Sequence, residues 1–117
     1  MKKKIIKLKL NVPDSKSYSV ELYRTEYIDN KSLAVIGIDA KDHDLFADFS
    51  VNFPHSIGLK KNEFYFKTWT ENEGFLEQFI EQGIVKKLDS AAFNGFCRVP
   101  KVELLIDLPT LPKTRRR

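Results

Sequence analysis

The residues that could do covalent or metal chemistry are few and scattered. Cys97, the single cysteine, would act as a nucleophile only with a base held beside its sulfur. The two histidines, His43 and His55, fall in expected loops with no motif around them. Cys97 therefore reads as a small buried hydrophobe in a strand. Asp42-His43-Asp44, with Asp39 and Asp48 close by, suggests a cation loop, but counting from Asp42 neither a sixth-position Gly nor a twelfth-position Glu is present. A solvated turn leading into a strand accounts for these acids. Glu71 and Glu73 could be imagined as paired carboxylates, yet a helix start explains both through capping and the helix dipole. The five glycines are scattered, so no phosphate-cradling loop is present. No catalytic residue, metal or cofactor is expected, and the chain does not read as an enzyme.

The rest of the chain is organised around residues 62–85. Residues 63–69 are aromatic and β-favouring, and Phe75, Leu76, Phe79 and Ile80 then recur at the spacing of one helix face. Thr70 and Glu73 match a capping box, which predicts a helix of about three turns starting there. Gly83 offers the positive-φ residue that ends helices. Trp69 stands at the strand-to-helix junction, either as a binding platform or as a lid on the core.

Upstream, Ile6, Leu8, Leu10 and Val12 alternate with polar residues, as a half-buried strand does. Strands over 18–28, 33–40 and 45–53 come next, separated by turn chemistry at 29–32 and 41–44. Residues 89–95 read as a turn, and the run around Pro100 as a last, edge-located strand. The expected architecture is α+β: an antiparallel sheet of five to six strands with one helix packed on one face. Residues 1–108 form the domain, and 109–117 read as a disordered basic tail.

Charge is segregated along the chain. Lys2, Lys3, Lys4, Lys7 and Lys9 lie at one end, and Lys113, Arg115, Arg116 and Arg117 at the other. Between them, eleven Lys or Arg against sixteen Asp or Glu leave a body of net charge −5, flanked by +9. A uniformly basic nucleic-acid domain does not have this layout. The nine basic residues are candidate nucleic-acid contacts, since phosphate binding gains from counterion release. They equally suit a soluble edge strand and a solvated tail. Asp39, Asp42, Asp44, Asp48 and Trp69 are the candidate partner contacts. No run of 18 apolar residues exists, so no membrane helix is expected, and the basic start lacks a signal-peptide core. One Cys makes no internal disulfide and fits a cytoplasmic protein.

Several blocks carry a resemblance. Tyr18-Ser19-Val20-Glu21-Leu22-Tyr23-Arg24-Thr25-Glu26-Tyr27, Ser32-Leu33-Ala34-Val35, Val51-Asn52-Phe53-Pro54 and Asn62-Glu63-Phe64 are four of them. Asn72-Glu73, Gly83-Ile84-Val85 and Gly95-Phe96-Cys97-Arg98-Val99-Pro100 complete the set. Together they resemble a small domain family carried by plasmids, conjugative elements and phages, sometimes inside large polyvalent proteins. The Lys-rich start and Arg-rich end depart from that pattern, and the family supplies no catalytic residues. The resemblance implies a mobile-element accessory protein, with an anti-CRISPR-type counter-defence inhibitor as the expected function. Its partner would be a host nuclease or ribonucleoprotein complex, with RNA as a direct contact. The other expectation is a stand-alone single-stranded RNA- or DNA-binding protein for element maintenance.

Overall fold

The computed structural model describes residues 5–12, 16–27, 32–52, 59–69, 72–94 and 97–111. The first sheet grows from the alternation at the start of the chain. In β1 (Ile6–Asn11), Leu8 and Leu10 are buried while Lys7 and Lys9 face solvent. Antiparallel pairing to β2 (Ser17–Glu26) sets Leu8 opposite Val20 and Lys7 opposite Glu21. β3 (Leu33–Asp39) and β4 (Leu45–Asp48) complete a four-stranded sheet in the order β1-β2-β3-β4.

The chain then changes sheets at one residue. Phe49 donates its N–H to the Val35 carbonyl at 2.9 Å, and its own carbonyl accepts the Lys67 N–H at 2.9 Å. Beyond it, β5 (Ser50–Val51) pairs with β6 (Glu63–Phe66) in a second sheet, ordered β5-β6-β8-β7. Strands that bend from one sheet to another build such corners. The protein is thus α+β, mostly antiparallel with one helix, but its strands form two four-stranded sheets rather than one of five or six. Ala47, Phe49 and Val51 keep alternating with Asp48 and Ser50 across the corner, so the change of partner leaves no mark in the sequence. Gly37 makes the corner possible: a Cβ there would lie 2.6 Å from both Phe49 and Val20.

The helix α1 (Phe75–Glu81) buries Phe75, Leu76 and Phe79. The Phe79 ring sits 4.7 Å from Phe49 and 4.9 Å from Phe66, centroid to centroid. Each buried Phe of this cluster contributes about 1.5–3 kcal/mol through removal from water. The helix ends as Gly83 suggests: at φ 74 it donates to Ile80, and the Ile84 N–H bonds back to Phe79. That pair of bonds is a Schellman motif. The start differs from expectation. Gly74, at φ 87, is the N-cap and no side chain caps the helix. The left-handed turn at Gly74 places the first helical residue at Phe75, so the box built on Thr70 and Glu73 does not cap it and the helix has two turns. Thr70 itself lies outside the described residues.

Two further strands depart from the sequence reading. Residues expected to turn belong to β7 (Val85–Asn94), whose exposed Lys86, Lys87, Asp89 and Ser90 show no alternation. β8 (Cys97–Leu104) is internal, between β6 and β7, despite Pro100. Pairing to β6 starts only at Lys101, and on the other side the register shifts between Lys87 and Ala91. Pro100 lies one residue short of the β6 ladder, and on the β7 side it stands opposite Ala91 at the border of that irregularity, so the sheet is interrupted where its missing donor falls. After β8 the chain crosses back to the first sheet. The Arg24 N–H donates to the Pro109 carbonyl at 2.9 Å, and the Leu111 N–H to the Arg24 carbonyl at 2.8 Å. Leu108 is buried in the main core and Leu111 packs with Tyr23 and Ile38. Residues 109–111 are thus part of the fold, and only 112–117 of the expected tail lie outside the described residues. None of the described helices is long and apolar enough to cross a membrane.

Candidate nucleic-acid interface

Lys7 and Lys9 occupy the outer face of β1 because Leu8 and Leu10 claim the inner one. Residues two apart on one strand face stand about 6.6–6.8 Å from each other. Lys7 is opposite Glu21, which is buried and accepts the Tyr23 hydroxyl at 2.9 Å; Lys9 is opposite Ser19. The backbone beneath them is held by α1. Gln78 accepts the Asn11 N–H at 2.7 Å and donates to the Asn11 carbonyl at 3.0 Å, and Gln82 donates to the Lys9 carbonyl at 2.8 Å. Two solvated ammonium groups on a clamped strand can neutralise phosphates without reorganising the fold. The other expected basic contacts, Lys2, Lys3, Lys4, Lys113, Arg115, Arg116 and Arg117, lie outside the described residues.

The acidic candidates fall into two places. Asp39, Asp42 and Asp44 build the connection from β3 to β4. One carboxylate oxygen of Asp39 accepts the Lys41 N–H at 2.8 Å, and one of Asp42 accepts the Asp44 N–H at 3.0 Å. His43 takes φ 63 inside this turn. Asp42 and Asp44 are exposed, so their charge stays available to a partner. Asp48 is elsewhere, opposite Ile36 in β4, and is occupied within the molecule. Trp69 is half-buried, and its carbonyl accepts the Asn72 N–H at 3.2 Å.

Sequence reasoning misses a polar cluster around Asp48. Asp48 Oδ1 accepts both the Ser50 N–H at 3.0 Å and the Ser50 hydroxyl at 2.8 Å. The Ser50 oxygen accepts the Val35 N–H at 3.1 Å and lies 2.9 Å from the Tyr27 hydroxyl. With the single Ser50 proton committed to Asp48, Tyr27 is the donor to Ser50. Burial, aided by the nearby Asp48 charge, pushes the Tyr27 phenol up to about 12, so it stays a neutral donor at physiological pH. Ser50 is buried, which keeps its hydroxyl away from any substrate carbonyl. Asn72 donates to the Asp48 carbonyl at 2.9 Å, while its buried Oδ1 has no partner among the described residues. Polar residues within otherwise apolar strands are the one signal in the sequence, but their convergence depends on the corner at Phe49. Among the described residues, no three His, Cys, Asp or Glu side chains gather as a metal site would require. Cys97 stands opposite Asn94 in the ladder, and His55 lies outside the described residues.

Compared with protein-family models, with curated proteins and with solved structures, the chain matches none.

Proposed function

We propose that the protein is a non-enzymatic accessory protein of a mobile genetic element that inhibits a host RNA-guided nuclease in the cytoplasm by holding its guide RNA. The observation that carries the binding half of this reading is the outward pair Lys7 and Lys9 on a clamped strand, flanked in sequence by three further lysines. The counter-defence half draws on the resemblance of the blocks between residues 18 and 102 to mobile-element domains. Asp42 and Asp44, exposed at a hairpin tip, suit a cationic groove on the nuclease, so that unlike charges meet on both sides of the contact. The mechanism is occupancy: phosphates held by the basic residues are no longer available to the nuclease or its target.

The test is capture of a purified RNA-guided nuclease by the protein, with the guide RNA present and after its removal, alongside target cleavage. The proposal expects RNA-dependent capture and loss of cleavage with nuclease and guide chemically unchanged. Equal binding to any bare single strand, with cleavage unaffected, would instead identify a nucleic-acid-binding protein for element maintenance.

A further inference from the structure

We infer that the protein forms a homodimer by pairing β7 with β7 of a second copy, antiparallel about a two-fold axis at Leu88, with Lys87 of each copy facing Asp89 of the other. The inference goes beyond the RNA-binding reading and is independent of it.

Among the described residues, β7 has β8 alone beside it, at the end of the second sheet. The ladder shows which backbone groups this leaves free. Leu104 donates its N–H to the Asn62 carbonyl at 2.7 Å, on the β6 side. Backbone direction alternates along a strand, so Val102 and Pro100 address that side too. Val85, Lys87 and Ala91 stand opposite these three and therefore turn their own backbone groups to the open edge. The step from Lys87 to Ala91 spans four residues of β7 against two of β8, which leaves Leu88, Asp89 and Ser90 without a ladder partner. An edge this long is a template for another strand.

Lysines on an edge ordinarily discourage pairing, but Asp89 makes one register attractive. Lys87 and Asp89 are exposed and have no ion pair among the described residues. Two antiparallel β7 strands must set outward-facing residues against each other, so the allowed registers differ by steps of two. Centred on Leu88, the register sets Val85 against Ala91, Lys86 against Ser90 and Lys87 against Asp89, each twice by symmetry. Centred on Lys87 it would set ammonium against ammonium, and centred on Asp89 carboxylate against carboxylate. Leu88, half-buried in one chain, meets its own copy on the axis at the Cα spacing of a non-hydrogen-bonded pair, about 4.5 Å. Opposite charges across two strands attract and like charges repel, so residues 85–91 accept their own copy in this register and reject the neighbouring ones.

The experiment measures the mass of the full chain by sedimentation equilibrium from about 1 μM to about 1 mM. The expected result is a rise from 13.6 kDa to twice that mass as concentration increases. Lys87→Asp and Asp89→Lys, each alone, place like charges in both pairs and weaken dimerisation by about tenfold or more. Both residues are exposed, so the melting temperature stays close to that of the wild type. An equimolar mixture of the two single variants restores both Lys–Asp pairs across the axis and dimerises at wild-type strength, as does the double variant Lys87→Asp/Asp89→Lys. A one-chain mass at every concentration overturns the inference. So does a dimer that either charge reversal leaves unchanged, or one that the mixture fails to recover. No RNA is present, so these outcomes leave the RNA-binding reading where it stood.

Discussion

The Gln78 side-chain amide pairs with the Asn11 backbone in both directions, as a neighbouring strand would. Gln82, one turn on, donates to the Lys9 carbonyl. The spacing explains the fit: four helical residues rise about 6 Å and two strand residues span about 6.6 Å. The helix thereby covers an edge strand that would otherwise invite pairing with other chains. Gln78→Ala should cost about 1–2 kcal/mol in urea melts, and Gln78→Glu nearly as much, because a carboxylate accepts but cannot donate. A Glu variant as stable as the wild type would show that the Asn11 carbonyl bond contributes nothing.

Gly37 tests the corner. An added methyl meets Phe49 and Val20, both fully buried, at 2.6 Å. Gly37→Ala should therefore destabilise by about 1–3 kcal/mol, through overpacking rather than backbone strain. Pairing it with Val20→Ala should recover part of that loss relative to the sum of the two single changes. Strict additivity of the two would mean that Phe49 alone yields to the methyl.

Tyr27 gives a signature at alkaline pH. Its folded-state value of about 12 lies above the ordinary 10.0, so the folded state prefers the protonated phenol. The contribution is complete below about pH 10 and is lost as pH rises through about 12. Wild-type stability should fall between about pH 9 and pH 11 by more than that of Tyr27→Phe, although the variant is the weaker of the two at pH 7 by about 1 kcal/mol. Identical falls in both proteins would remove Tyr27 from the alkaline transition.

What the sequence discloses depends on the range of the interaction concerned. Ile6, Leu8 and Leu10 face inward and Lys7 and Lys9 outward because strand alternation is local, and Gly83 ends the helix because φ > 0 is a single-residue property. Phe49 changes partner without changing the pattern around it, so two sheets look like one. Thr70 and Glu73 match a capping box in type and spacing, but Gly74 resets the chain one residue later. Val85–Asn94 has no alternation because it is a polar edge, and Pro100 imitates an edge residue although it is internal, beside the end of the β6 ladder and a register shift in the β7 ladder. At the site, the outward lysines are legible from alternation alone. The bond from Leu111 to Arg24 joins distant parts of the chain and has no local signature.

The central claim is that exposed basic residues hold the guide RNA of a nuclease, and the most direct measurement is inhibition of RNA-guided cleavage by Lys7→Ser/Lys9→Ser across a salt series. Both side chains are exposed, so the melting temperature should move little. The account predicts weaker inhibition at every salt concentration, with the slope of log affinity against log salt flattened by about 1.4, the share of two single-strand phosphate contacts. Inhibition at wild-type strength with an unchanged slope would contradict it.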